Sequence, residues 1–188
     1  MRVFGIDPGS IRTGYGCIDS DGRRHRLVRC GTIHTAATAS FPDKLAAIHR
    51  ALTAVLAECR PECVAIENLF HATNVRSALK LGHARGVAML AAVEAGVEII
   101  EYTPAEIKRA IVGYGRAEKT QVGQMVKLLL SLDCVPAPHD AADALAVAIC
   151  HVHAAKRGTT RFSSDPVKKG SDPFLPKPTS WRSYRPRA

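Results

Sequence analysis

The chain has 188 residues, of which 46% are apolar, enough for one domain with a sizeable core, and no stretch of it reads as a membrane span. Its formal charge of +9 is uneven: residues 154–188 carry +7 and the preceding 153 only +2, so a body that meets phosphates must gather positive charge locally. The N-terminus lacks the basic and apolar segments of a secretion signal, which makes the cytosol the expected compartment, and six cysteines without a Cys-x-x-Cys pair read as small hydrophobes rather than as a zinc site.

The apolar run at residues 2–6 predicts a first strand, and the Gly-rich loop Asp7-Pro8-Gly9-Ser10 leads to a second at 13–18. So short a connection requires a hairpin. A turn at Asp21-Gly22 precedes a third strand at 27–34. A helix starting near Pro42-Asp43 follows, with Leu45, Ile48, Leu52, Val55 and Leu56 recurring at helical spacing, and Pro61 closes it. Residues 63–66 form a buried strand, 74–95 a long helix ended by Gly96, and 97–102 a further strand. Thr103-Pro104-Ala105-Glu106 matches a capping box with Pro at the first helical position. That helix is interrupted at Gly113-Tyr114-Gly115, helix resumes over 118–130, Pro136 and Pro138 break it, and 140–155 form the last helix. The order implies an α/β domain: a mixed five-stranded sheet flanked by helices. Beyond it, residues 156–188 hold five of the eleven prolines and most of the excess charge, which reads as a basic, Pro-rich, disordered tail.

Four acids stand at element ends that this order brings to one edge of the sheet. Asp7 ends the first strand, Glu67 ends the fourth, and Asp140 and Asp143 lie on one face of the last helix's first turn. Each alone has an ordinary structural explanation: a helix cap for the aspartates, an Asx turn for Asp7, a solvated strand end for Glu67. Together they would repel one another unless cations sat among them. Hard divalent ions such as Mg²⁺ or Mn²⁺ prefer such oxygen donors, and two of them can activate water and stabilise the leaving oxygen of a phosphodiester. A metal-dependent enzyme that cuts a polyanion is the reading this pattern supports. His139, beside Asp140, stays outside the proposed metal ligands.

The motifs carry a resemblance as well. Gly5-Ile6-Asp7-Pro8-Gly9-Ser10 with Thr13-Gly14-Tyr15-Gly16, then Ala65-Ile66-Glu67, Ser77-Ala78-Leu79-Lys80-Leu81-Gly82, Ala84-Arg85-Gly86-Val87-Ala88, Ala117-Glu118-Lys119 and Asp140-Ala141-Ala142-Asp143-Ala144-Leu145-Ala146 run in order from Arg2 to about His153. This ordered set is similar to the RuvC family of bacterial Holliday junction resolvases.

The resemblance implies an RNase H-like fold over residues 1–155 and a homodimer with one active site per subunit. It implies paired, symmetric, Mg²⁺-dependent cuts in a four-way DNA junction, with two ions per site and Mn²⁺ able to substitute. It makes Asp7, Glu67, Asp140 and Asp143 the catalytic, metal-binding acids, and Phe70, Arg76, Lys80, Lys108 and Lys119 the DNA-binding residues. Phe70 would lie against a base near the crossover, although it also suits a core position, and Lys108 and Lys119 near the scissile phosphate, although both also suit solvated helix faces. The long helix with Gly82 and Gly86 would form the dimer interface, although its glycines also suit internal packing. A branch-migration complex of the RuvA and RuvB type would be a partner, and no membrane would be. Three other classes bear on the reading. An actin-like ATPase, which opens with a similar strand and acid, needs about twice this length. A non-catalytic DNA-binding module gains nothing from acids facing phosphates. A nuclease acting on RNA or RNA–DNA hybrids shares the acid set, and the wider motifs select branched DNA.

Overall fold

A computed structural model describes residues 1–68, 74–156 and 158. Its strands are β1 (Arg2–Asp7), β2 (Arg12–Ser20), β3 (His25–His34), β4 (Cys63–Glu67) and β5 (Glu98–Tyr102). The helices are α1 (Phe41–Cys59), α2 (Val75–Glu94), α3 (Pro104–Val112), α4 (Lys119–Leu129) and α5 (His139–Lys156). All ten predicted elements are present. Their ends differ by one or two residues, because the β1–β2 ladder pairs Arg2 with Asp19 and Asp7 with Gly14, and β2–β3 pairing continues to Ser20 and His25.

The sheet order is β3-β2-β1-β4-β5. The first three strands form an antiparallel meander, and β4 and β5 join β1 in parallel. Parallel neighbours require crossovers, supplied by α1 between β3 and β4 and by α2 between β4 and β5.

Side-chain caps set three of the helix starts, the one at Thr103 as predicted. Ser40 Oγ accepts from the Asp43 amide at α1, Asn74 Oδ1 from the Ser77 amide at α2, and Thr103 and Glu106 form the complete capping box at α3.

Strand alternation divides the core into two layers. Phe4, Ile6, Cys17, Val64 and Ile66 pack against Ile48, Leu52 and Leu56 of α1 and Ala84, Ala88 and Ala91 of α2. Val3, Ile18, Cys63 and Ala65 face the other way, toward Leu145, Ala148 and Ile149 of α5, with Ile107, Ile111, Val122 and Val126 of α3 and α4 outside it. On this second face α5 lies unusually close to the sheet. A Cβ on Gly5 would fall 2.0 Å from the Ala144 carbonyl oxygen, and one on Gly14 would fall 1.9 Å from that of Asp140. The backbone of α5 therefore rests directly on β1 and β2, and its alanines (Ala141, Ala144 and Ala148, all buried) keep the contact shallow.

Candidate active site

Strand parity aims the first two acids. On β1, Val3 and Gly5 face α5, so Asp7, two residues on, faces it too; on β4, Cys63 and Ala65 face α5, and so does Glu67. β1 and β4 are parallel neighbours with Ile6 opposite Ile66, which puts Asp7 and Glu67 side by side at their C-terminal ends. The glycine seat brings the first turn of α5 to the same edge, since Gly14, which carries the Asp140 carbonyl, is itself the ladder partner of Asp7.

The electrostatics reflect this convergence. Burial raises the Asp7 carboxyl to about 8, helped by the like charges of Glu67 and Asp143 and by a hydrogen bond shared with Glu67. Glu67 is also raised, chiefly by burial and then by Asp143, while its bond to Asp7 and the charges of Lys119 and Lys108 pull the other way. Asp143 Oδ2 accepts from Lys119 Nζ at 2.9 Å, and that pairing holds the lysine above its ordinary value. Glu67, Lys108, Lys119 and Asp143 line one small cleft, floored by Ile107, Val122 and Val147.

Three of the four predicted acids, Asp7, Glu67 and Asp143, thus act on one another, and Asp140 lies one turn before Asp143 above Gly14. Among the described residues no three His, Cys, Asp or Glu side chains are arranged to surround an ion. Burial and mutual repulsion instead favour the protonated form of Asp7, and Asp143 pairs with Lys119. The donor set fits a hard divalent cation, because it is all carboxylate oxygen, it is partly desolvated, and its mutual repulsion is what such a charge would relieve.

Of the predicted DNA-binding residues, Lys108 and Lys119 stand in this cleft, whereas Arg76 and Lys80 are exposed on the first turns of α2. Phe70 lies outside the described residues. His139 is exposed at the start of α5. Gly82 and Gly86 prove to be surface positions, since a Cβ on either would meet nothing within 4 Å, so the internal-packing alternative does not hold.

Two features escaped the sequence reading. The first is the glycine seat, whose signal was the recurrence of Gly5, Gly14 and Gly16 opposite an Ala-rich helix. The second is a clamp on the end of β4 made by Arg85, Glu101 and Asn68, which lie apart in the chain and share no motif.

Comparison with known proteins bears on the family and the fold. Residues 3–151 match the family model for "Crossover junction endodeoxyribonuclease RuvC". A protein of that name from Alkaliphilus oremlandii is 52% identical over 153 residues, covering 81% of this chain and 93% of the relative. Another from Pelobacter propionicus is 47% identical over 186 residues, covering 99% and 100%. The solved structure of Thermus thermophilus RuvC in complex with Holliday junction substrate superposes with a TM-score of 0.78 at 35% identity, covering 85% of this chain and 98% of that one. The sheet and its flanking helices are accordingly the RNase H-like fold. With acids, glycine seat and cleft lysines all inside the matched span, the chain belongs to the RuvC family of crossover junction endodeoxyribonucleases.

Proposed function

We propose that this protein is a structure-specific endonuclease that resolves four-way DNA junctions by paired, symmetric phosphodiester hydrolysis. The observation that carries the reading is the meeting of Asp7, Glu67 and Asp143 beside Lys119 at one sheet edge, in a chain of this family. Asp7, Glu67, Asp140 and Asp143 would hold the metal, with Mg²⁺ as the preferred ion, Mn²⁺ able to replace it, and two ions per site. Bound there, the ions supply an activated water and a counter-charge for the leaving oxygen.

The protein's own groups do the rest. Asp7, raised to about 8 by burial and its acidic neighbours, would have to give up its proton to act as a ligand. Lys119, freed from Asp143, and Lys108 across the cleft draw in the scissile phosphate and offset the charge that grows on it. The apolar floor of Ile107, Val122 and Val147 keeps bulk water from the buried side of the acids. Arg76 and Lys80 would hold DNA backbone on the α2 side, and Phe70 would stack on a base at the crossover.

A homodimer fits the surface of α2. Val75, Leu79, Leu90 and Val93 are exposed there, and the first three with Leu45, Gly82 and Gly86 line an apolar groove open to solvent. Two such faces would relate two active sites by a twofold axis, as symmetric incision requires. Residues 1–155 form the nuclease domain, and residues 156–188, basic and Pro-rich, serve as a phosphate tether. Cooperation with a branch-migration complex of the RuvA and RuvB type and a cytoplasmic location complete the proposal. Among the described residues no helix is long and apolar enough to cross a membrane.

The deciding experiment incubates full-length protein with synthetic four-way, three-way and linear DNA, with and without Mg²⁺. Paired incisions confined to the four-way substrate are expected. Equal cutting of linear duplex, or cutting that persists in EDTA, would overturn the proposal.

A further inference from the structure

The end of β4 is held by a set of contacts that the acid cluster itself does not require. Arg85, on α2, donates from Nε to the main-chain carbonyl of Glu67 at 3.3 Å. Its Nη2 lies 2.7 Å from Glu101 Oε2 on β5, buried and held by charge rather than by a well-aligned hydrogen bond. The same Glu101 oxygen accepts from Asn68 Nδ2 at 2.9 Å, and the Asn68 amide donates to the Tyr102 carbonyl at 2.7 Å. The last residue of β4 and the one after it are thus fixed from both sides, by the neighbouring strand and by the helix that crosses over them.

Such contacts cost something to keep. Arg85 is about four-fifths buried along its side chain, and a guanidinium is withdrawn from water only where its bonds are worth the loss. Glu101, opposite Ile66, puts one more carboxylate at this end of the sheet, on the α2 face rather than beside Asp7. A strand end needing nothing but fold stability could be held by the β4–β5 ladder, which already pairs Glu67 with Tyr102. What the ladder cannot fix is the azimuth of the strand's final residue once pairing with β1 has stopped at Ile66. The carbonyl gripped by Arg85 belongs to the residue whose side chain meets Asp7.

We infer that Arg85, backed by Glu101 and Asn68, is a positioning residue that sets the Glu67 carboxylate in register for the metal and ties that setting to α2. The inference rests on the reading of Glu67 as a metal ligand. Because the gripping helix is also the one with the exposed apolar face, a shift of α2 would reach Glu67 through the Arg85 guanidinium. Outer contacts that orient a ligand typically alter metal affinity by about 10–100-fold when removed.

The test compares full-length wild type with Arg85→Gln, Arg85→Lys, Glu101→Gln and Glu67→Gln. Mn²⁺ binding without DNA is measured by titration calorimetry, melting temperature by scanning fluorimetry, cleavage as a function of Mn²⁺, and junction binding in EDTA. We expect Arg85→Gln and Glu101→Gln to raise the Mn²⁺ half-saturation by about tenfold in both binding and cleavage while junction affinity stays within twofold. Arg85→Lys, which keeps the charge and loses the fork, should fall between. If Arg85→Gln does not fold, Glu101→Gln and Arg85→Lys carry the same expectation. A lower melting temperature with unchanged Mn²⁺ half-saturation would show a merely structural role and overturn the inference. If Glu67→Gln binds Mn²⁺ and cuts like wild type, the ligand reading itself fails; if it is inactive while Arg85→Gln is normal, the positioning inference alone fails.

Discussion

At the scale of single residues, the acids divide by what surrounds them. Asp7 is the most perturbed, raised from 3.8 to about 8 because burial and two like charges oppose its ionisation. The folded protein therefore holds a proton that the unfolded chain gives up near pH 4. Between about pH 4 and 8 the native state binds more protons than the unfolded state, so this group's contribution to stability falls as pH rises. Without metal, Asp7→Asn should be nearly equal in stability to wild type at pH 4 and gain on it as pH rises, by as much as about 5 kcal/mol at pH 8. Denaturant melts at both values check this. The same substitution should abolish cleavage in Mg²⁺ while leaving junction binding intact, as a gel-shift assay beside a cleavage assay would show. Lys119 poses the opposite case, a cation held above its ordinary value by Asp143 at 2.9 Å. Lys119→Met should lower kcat by about 10²–10³-fold, the usual loss when one transition-state charge partner goes. Its KM for junction DNA should change far less.

At the scale of elements, the seat of α5 decides where Asp140 and Asp143 stand. Gly5→Ala would place a methyl 2.0 Å from the Ala144 carbonyl, so the helix must lift from the sheet. Overpacking of this kind costs about 1–3 kcal/mol, or roughly 3–10 °C in Tm for a domain of this size. Activity should fall further than stability does, because the lift carries both aspartates away from Asp7 and Glu67. Comparing Tm with kcat in that variant separates the two effects. Elements were largely legible in the sequence, and so were the acids' places at element ends, since caps, glycines, prolines and apolar spacing are local signals. The capping box at Thr103 lies where the letters place it. What the letters hid was non-local: the contact of α5 on Gly14, the bond from Lys119 to Asp143, and the reach of Arg85 to Glu67. Each joins residues 18 or more apart through angles that no spacing rule encodes.

At the scale of the whole molecule, the exposed face of α2 is the feature that a single copy leaves without a use. Leu79→Glu would put a charge in the middle of the apolar groove. The expected result is a smaller species by light scattering and single, unpaired nicks in place of paired incisions, with the acid cluster untouched. The opposite end of the sheet has a different character. The Ser20 amide bonds to the Met1 carbonyl where β1 begins, and the β2–β3 turn beyond it, with Gly22 at φ 88° and open space around it, projects from the edge farthest along the strands from Asp7 and Glu67. That turn is a handle: a fluorophore or a short peptide tag spliced between Asp21 and Arg23 would ride on the rigid meander, report on tumbling and encounter, and leave the cutting edge as it was.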